Sequence, residues 1–382
     1  MKRQLFLATS LTVFAAASLG LTSCGDKGSG DTIRIGEFAS LTGKEATFGT
    51  SSHEGTQLAI EEINAAGGVL GKKLELLTED NQTKAGESTN AVNKLISKDG
   101  VVAILGEVAS SRSMEAAPIC NDNKIPMITP ASTNQDVTKG RPYVFRVCFI
   151  DPFQGTVMAN FATGTLKASK VAVLTDVKSD YSKGLAKFFK EQFAKNGGQV
   201  VSELDYNAGD KDFKGQLTAI KGAGPDAVFV PGYYTEVALI ATQAKQLGLS
   251  LPLFGGDGWE SSTLLEIGKD AVEGHYFSTH CAPEQGTPKM IQFVEAYKKR
   301  YNGKSPDAMA ALGYDSARVL ADAITRAGST DGTKVRDALA GLKDYDAVTG
   351  KFSINENRDA VKSAAIMQIK GGKFTFLQTV NP

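Results

Sequence analysis

Cysteine is scarce in this chain of 382 residues: there are four, at positions 24, 120, 148 and 281. Apart from Cys24 they are odd in number with no close spacing, which makes neither a disulfide framework nor a zinc site; the last three read as buried thiols, with a single Cys120–Cys148 bridge left open. The three histidines, His53, His275 and His280, also lack metal-ligand spacing. His275 and His280 lie on or beside a short strand and read as structural. Charge of one sign is missing too. The 42 basic residues face 42 acidic ones, which argues against nucleic acid or an anionic surface as the main partner. Phosphate-binding loops are absent: "AGGVLGKK" has Ala66 where the first glycine belongs and Lys73 where the hydroxyl belongs. The first strand runs into "GEFASLTG", so no dinucleotide fingerprint follows it. There is no G-x-S-x-G elbow. Ser110 has no histidine beside it in the sequence, which leaves a secreted amidase without its base. These absences point away from an enzyme and predict no cofactor and no metal.

What is present begins with a leader. Lys2 and Arg3 precede an apolar run, "LFLATSLTVFAAASLGL", which ends at "TSC". A charged start, an apolar middle and small residues at its close are the pattern of a secretory signal. Leu21-Thr22-Ser23-Cys24 resembles a bacterial lipobox, in which Cys24 becomes the acylated N-terminus. The expectation is a signal peptide over 1–23 and a flexible tether over 24–30. Two or three acyl chains would hold the protein to the membrane, on the periplasmic or outer face.

The mature chain is too long for one ordinary core and long enough for two domains. From Thr32 it alternates strand-like with helix-like segments: "TIRIGEF", a helix ending at Gly67-Gly68, "KLELLTED", "TNAVNKLISKDG", "VVAIL", "IPMIT" and "YVFRVCF". The rhythm restarts at Lys170 with "KVAVLT", "GLAKFFKEQFAKNGG", "VVSELDY", "FKGQLTAIKGAG", "DAVFV", "EVALIATQAKQLG" and "LPLFG". Apolar strands separated by amphipathic helices predict an α/β fold with two parallel-sheet lobes, each covered by helices on both faces. A helical stretch over 289–341 follows. The strands "KFSI", "AAIMQI" and "KFTFLQTV" come last, the final two joined by a hairpin at Gly371-Gly372.

Open parallel sheets bind ligands beyond the carboxyl ends of their strands, so the loops there carry the functional reading. "GEVASSRS" opens a helix. Its free N–H groups and positive end favour an anion, and its three serines exceed what capping needs. Arg112 reads as solvated. "TPAST" adds Ser132 and Thr133. In "GGDGW", Asp257 stands among glycines that would let backbone approach a ligand, although a plain turn explains the same residues equally well. "PGYYTE" and Tyr181 bring aromatic surface. A neutral grip for an anion opposite a carboxylate for a cation suggests a zwitterion.

"IEEINAAGGVLGKKLELLTEDNQTKAGES", "PMITPAST", "YVFRVCFIDPFQG" and "GGDGWESSTLLEIG" resemble the leucine/isoleucine/valine-binding proteins, the substrate-binding proteins of ABC importers for hydrophobic amino acids. The resemblance implies a type I periplasmic binding fold with a three-strand hinge and a ligand cleft. It places lobe 1 over 31–149 and 280–363, and lobe 2 over 150–279 and 364–382. It assigns the ligand carboxylate to Ser110, Ala131 and Thr133, lobe-two tyrosines to Tyr181 and Tyr233, and the ligand ammonium to Asp257, one methylene shorter than the family's glutamate. Side-chain selection falls near Phe48, Trp259 and Met309. Ala109 stands where some members carry a disulfide cysteine. The implied partners are an amino acid and a membrane permease, with the protein acting as a monomer. An amide, urea or aromatic acid as ligand, with Trp259 stacking on it, and a sensory module, are the alternatives.

Overall fold

The computed structural model describes residues 32–382; the leader, Cys24 and the tether lie outside them. The first strands and helices alternate as β1 Thr32–Ala39, α1 Ala46–Ala65, β2 Lys73–Asp80, α2 Glu87–Ser97, β3 Ala103–Leu105, α3 Ser110–Asp122, β4 Met127–Thr129 and β5 Val144–Arg146. The series continues with α4 Asp151–Gly164, β6 Lys170–Asp176, α5 Asp180–Lys195, β7 Gln199–Tyr206, α6 Lys214–Ala223, β8 Ala227–Phe229, α7 Tyr234–Gln246, β9 Leu253–Gly255, α8 Ser262–Gly268 and β10 Tyr276–Thr279. It closes with α9 Pro288–Arg300, α10 Ala308–Ala327, α11 Gly332–Ala340, β11 Tyr345–Ala347, β12 Gly350–Ile354, β13 Ala360–Val361, β14 Ala364–Lys370 and β15 Lys373–Val380.

Two sheets organise the molecule. The first has five parallel strands in the order β2-β1-β3-β4-β5. The second has seven, β15-β14-β10-β9-β8-β6-β7. Here β6 to β10 are parallel, while β14 and β15 are antiparallel. The second lobe is therefore mixed, not purely parallel. Its hairpin turns at Gly371 and Gly372, with φ of 61° and 68°, which a β-carbon would disfavour and a type I′ turn requires. The chain passes between the sheets after β5, after β10 and again just before β14. A small sheet, β11-β12-β13, has the expected strand "KFSI" as its middle member, while β11 and β13 are additions that the sequence reading did not anticipate.

Burial explains the strand pattern. In β3, β4, β8 and β9 every residue is buried, as expected for strands covered on both faces. Helix α1 begins at Ala46, inside a stretch read as loop, and so carries Phe48 in its first turn. Helices α1 and α10 approach so closely that a β-carbon on Gly55 would lie 1.8 Å from the Ala310 carbonyl oxygen. One on Gly313 would lie 2.1 Å from that of Ser52. Helix α4 opens with Asp151 and Pro152, the latter supplying no N–H where none is needed. The three described cysteines are free and buried, so no Cys120–Cys148 bridge forms.

Candidate functional site

The segments that follow the carboxyl ends of β3, β4, β6, β8 and β9 bring in Ser110 at the start of α3, Ala131 with Thr133, Tyr181 in the first turn of α5, Tyr233 and Asp257 respectively. Ser110 begins α3 and is 1% exposed. Its Oγ accepts from the Asn134 backbone N–H at 3.1 Å, which leaves its own proton to donate. The neighbouring hydroxyls are less available than the sequence suggested. Ser111 meets Asp180, accepting from its N–H and reaching Oδ2, both at 3.0 Å. Ser132 lies within hydrogen-bond reach of the Glu107 and Val108 carbonyls and of Ser113. Ser113 in turn reaches the Glu107 carbonyl. These bonds fold the Thr129–Thr133 loop onto the end of β3. Thr133 differs: its buried Oγ1 has no hydrogen-bond partner. Ala131 is buried beside it in the chain.

Asn134 links the two sides. Its side-chain amide donates to the Asp180 carbonyl at 2.7 Å. With the Ser111–Asp180 pair, this brings the N-termini of α3 and α5 together, and the positive ends of both helices favour an anion there.

Asp257 is 4% exposed and its carboxylate is fixed from two directions. Gln154 Nε2 donates to Oδ1 at 2.9 Å and His280 Nε2 lies 3.0 Å from Oδ2. Gln154 also reaches Ser278 at 3.1 Å. The His280 ring packs on Phe149, centroids 4.0 Å apart, and burial pushes its pKa down despite Asp257. His280 is thus held neutral, so among the described residues no cation pairs with the aspartate. Sequence reading missed Gln154 and His280: they lie 103 and 23 residues from Asp257, and only the fold joins them.

The glycines around Asp257 serve the protein's own side chains. A β-carbon on Gly256 would sit 2.4 Å from the Tyr181 hydroxyl and 2.9 Å from Gln154 Nε2. One on Gly258 would sit 2.9 Å from the Tyr233 ring. The expectation that these glycines admit a ligand's close approach is therefore replaced by tight tyrosine packing. Tyr181 accepts from Gly258 N–H at 3.1 Å and stacks on Tyr233 at 5.2 Å with 5° between planes. Burial, with Asp257 adding, raises the Tyr181 pKa well above its ordinary value.

Phe48 meets Tyr233 and Tyr234 edge-on, at 5.6 and 4.8 Å. Tyr234 donates to the Lys44 carbonyl at 2.7 Å, and Thr47 meets Thr263 at 3.3 Å. Met309 is buried in the first turn of α10, whose Ala308 N–H donates to Glu260 at 2.9 Å. Trp259 is fully enclosed. Its N–H donates to the Val230 carbonyl at 2.9 Å and its ring lies near Phe277. The stacking of Trp259 on a flat ligand, raised in the alternative reading, would require this enclosed ring to be uncovered. Arg112, expected to be solvated, is largely buried and paired with Glu115 at 2.7 Å. Its Nε has no hydrogen-bond partner.

A buried acid lies between the two halves of the site. Asp151 is fully buried, and neither carboxylate oxygen has a hydrogen-bond partner. Its N–H donates to the Thr133 carbonyl at 2.9 Å. Burial foremost, with Asp257 adding, pushes its carboxyl up to about 8, against the pull of Thr133 and Arg146. Taken together, the loops form an enclosed polar locus with hydroxyls and helix N-termini on one side and a fixed aspartate on the other. The polarity of this arrangement matches that of a small dipolar molecule.

Comparison with known proteins agrees with this architecture. Residues 32–373 match the family described as periplasmic binding protein. The leucine-, isoleucine-, valine-, threonine- and alanine-binding protein of Pseudomonas aeruginosa is 33% identical over 93% of this chain and 92% of its own. A leucine-binding protein, LivK, from Thermotoga maritima superposes with a TM-score of 0.89 at 45% identity, covering 92% of this chain and 99% of that one. A branched-chain amino acid transporter substrate-binding protein, LivJ, from Streptococcus pneumoniae, solved with isoleucine, gives 0.87 at 35% identity, covering 92% and 100%. The fold, with its α/β lobes and strand-end loops, and the matches that run nearly end to end make this chain a member of the periplasmic binding protein family.

Proposed function

We propose that this chain is a lipid-anchored extracytoplasmic binding protein that captures an aliphatic, branched-chain amino acid and delivers it to the permease of an ABC importer. In this reading Cys24 carries the anchor. Lobe 1 spans 31–149 and 280–363, lobe 2 spans 150–279 and 364–382, and closure of the two over ligand is the state that the permease reads. Ser110, Ala131 and Thr133 grip the carboxylate, Asp257 holds the ammonium, and Tyr181 and Tyr233 wall the site. Phe48 and Met309 line the side-chain end, with Trp259 supporting it from behind. The relatives' amino-acid ligands support this assignment.

One observation carries the reading: Asp257 is buried, oriented by Gln154 and neutral His280, and left without a cationic partner. A buried carboxylate in that state calls for a cation. Calorimetric titration with leucine, isoleucine, valine and alanine tests it. Binding is expected for the branched ligands. Asp257→Ala should weaken it by about 10- to 100-fold, the worth of one charge-assisted hydrogen bond. No heat from any of the four at millimolar concentration would remove the amino-acid assignment.

A further inference from the structure

Asp151 has no place in the reading above, yet it is the acid most closely joined to the carboxylate grip. It opens α4, directly after the first crossing between sheets. Its N–H is bonded to the carbonyl of Thr133, and its carboxyl stands beside the Thr133 hydroxyl without completing a hydrogen bond. On the far side, its Oδ2 would lie only 3.0 Å from a β-carbon on Gly184 of α5, so that helix shuts it off from water. Three polar atoms, Thr133 Oγ1 and both Asp151 oxygens, are thus buried and unsatisfied at one point.

A threonine hydroxyl has a single proton. If Asp151 is ionised, the carboxylate is the strongest acceptor in reach and takes that proton. If Asp151 is neutral, the carboxyl O–H donates to Thr133 Oγ1, and the threonine's proton is free to point elsewhere. Resting on the assignment of Thr133 to the ligand carboxylate, we propose that Asp151 is a positioning residue: kept neutral, it donates to Thr133 Oγ1 and so turns the threonine's proton toward the bound anion.

The groups facing Asp151 favour this state in balance. Asp257 on the turn after β9 opposes its ionisation. The Arg146 guanidinium on β5 favours ionisation, but it is already paired with Asp359 at 2.7 Å. The N-terminal end of α4 also favours ionisation. His280 lies behind Asp257 and is neutral. Asp180 of α5 is bonded to Ser111 and to Lys183. Burial decides the balance, with a midpoint near pH 8. Ligand affinity should then fall as pH rises through that midpoint.

The test compares leucine affinity of the wild type and Asp151→Asn from pH 7 to pH 9. An asparagine amide donates to Thr133 at every pH, and the ligand's own amino group titrates identically in both experiments. The ratio of wild-type to variant Kd should lie near one at pH 7 and rise to about tenfold at pH 9. Parallel curves would overturn the proposal and move the titration to Glu45, Glu107 or Glu260, which are also buried acids. A measurement without ligand separates this from the amino-acid assignment. The wild-type-minus-Asp151→Asn infrared difference at pH 7 should contain a neutral carboxyl band that fades by pH 9 and shifts in Thr133→Val. Absence of that band overturns the proposal whatever the protein binds. Failure of leucine to bind the wild type at pH 7 would instead sink the amino-acid assignment, and the band would then decide the Asp151–Thr133 pairing alone.

Discussion

Glu45 shows how one residue can tie stability to pH. It caps the entry to α1 and is buried, with Oε2 unsatisfied. Burial foremost pushes its carboxyl up to about 7. Lys44 and Arg112 pull the other way, and Glu236 and Asp176 add to the rise. The last two lie on α7 and at the end of β6. A raised folded-state pKa means that the unfolded chain loses this proton first. Stability from this group is therefore full below about pH 4.5 and declines up to about pH 7. Glu45→Gln should raise the melting temperature at pH 8 and leave it nearly unchanged at pH 4.5. An equal shift at both values would show that the carboxyl does not titrate in this window. The site is likewise decided residue by residue. Loop position singled out Ser110, Thr133, Tyr181 and Asp257 as candidates, because hydroxyls, tyrosine and aspartate stand out after apolar strands. Gln154, His280 and Asp151 were not legible, since each looks ordinary in its own segment.

Elements add constraints that single residues do not show. The α1–α10 crossing relies on Gly55 and Gly313 lying against opposing carbonyl oxygens. Gly313→Ala should destabilise the protein by about 1–3 kcal/mol through overpacking, seen as a lower denaturation midpoint with an unchanged slope. A neutral result would mean that the helices separate freely at this point. The loop after β4 is held by another element-level device: Arg146, fully buried, donates to the Ser132 and Asn134 carbonyls and pairs with Asp359. Sequence patterning identified most elements, because β1 alternates and β3, β4, β8 and β9 are short apolar runs. It missed α4, where Pro152, Gly155 and Gly164 mimic a loop and burial on several sides hides the amphipathic stripe. It also missed β11 and β13, which at three and two residues are too short to show a period.

At the scale of the whole molecule, the contacts across the site describe a shut arrangement. Ser111 with Asp180, Asn134 with Asp180, Tyr234 with the Lys44 carbonyl and Thr47 with Thr263 all join loops of one sheet's side to those of the other. In the proposed reading, opening the cleft breaks these polar bonds together with the edge-on contacts of Phe48 on Tyr233 and Tyr234. Saturating leucine should shrink the radius of gyration measured by X-ray scattering. Ser111→Ala combined with Asn134→Ala should enlarge the ligand-free value. Identical scattering with and without ligand would argue for a rigid cleft.

The β14–β15 hairpin completes a sheet that began at β6, after the chain has travelled through α9, α10 and α11. Phe374 on β15 then covers Phe277 on β10, ring centroids 5.0 Å apart. The strands that seal the larger sheet are therefore made long after the strands they seal. Until β14 and β15 emerge from the ribosome, the nascent polypeptide has an open β10 edge and an unfinished sheet.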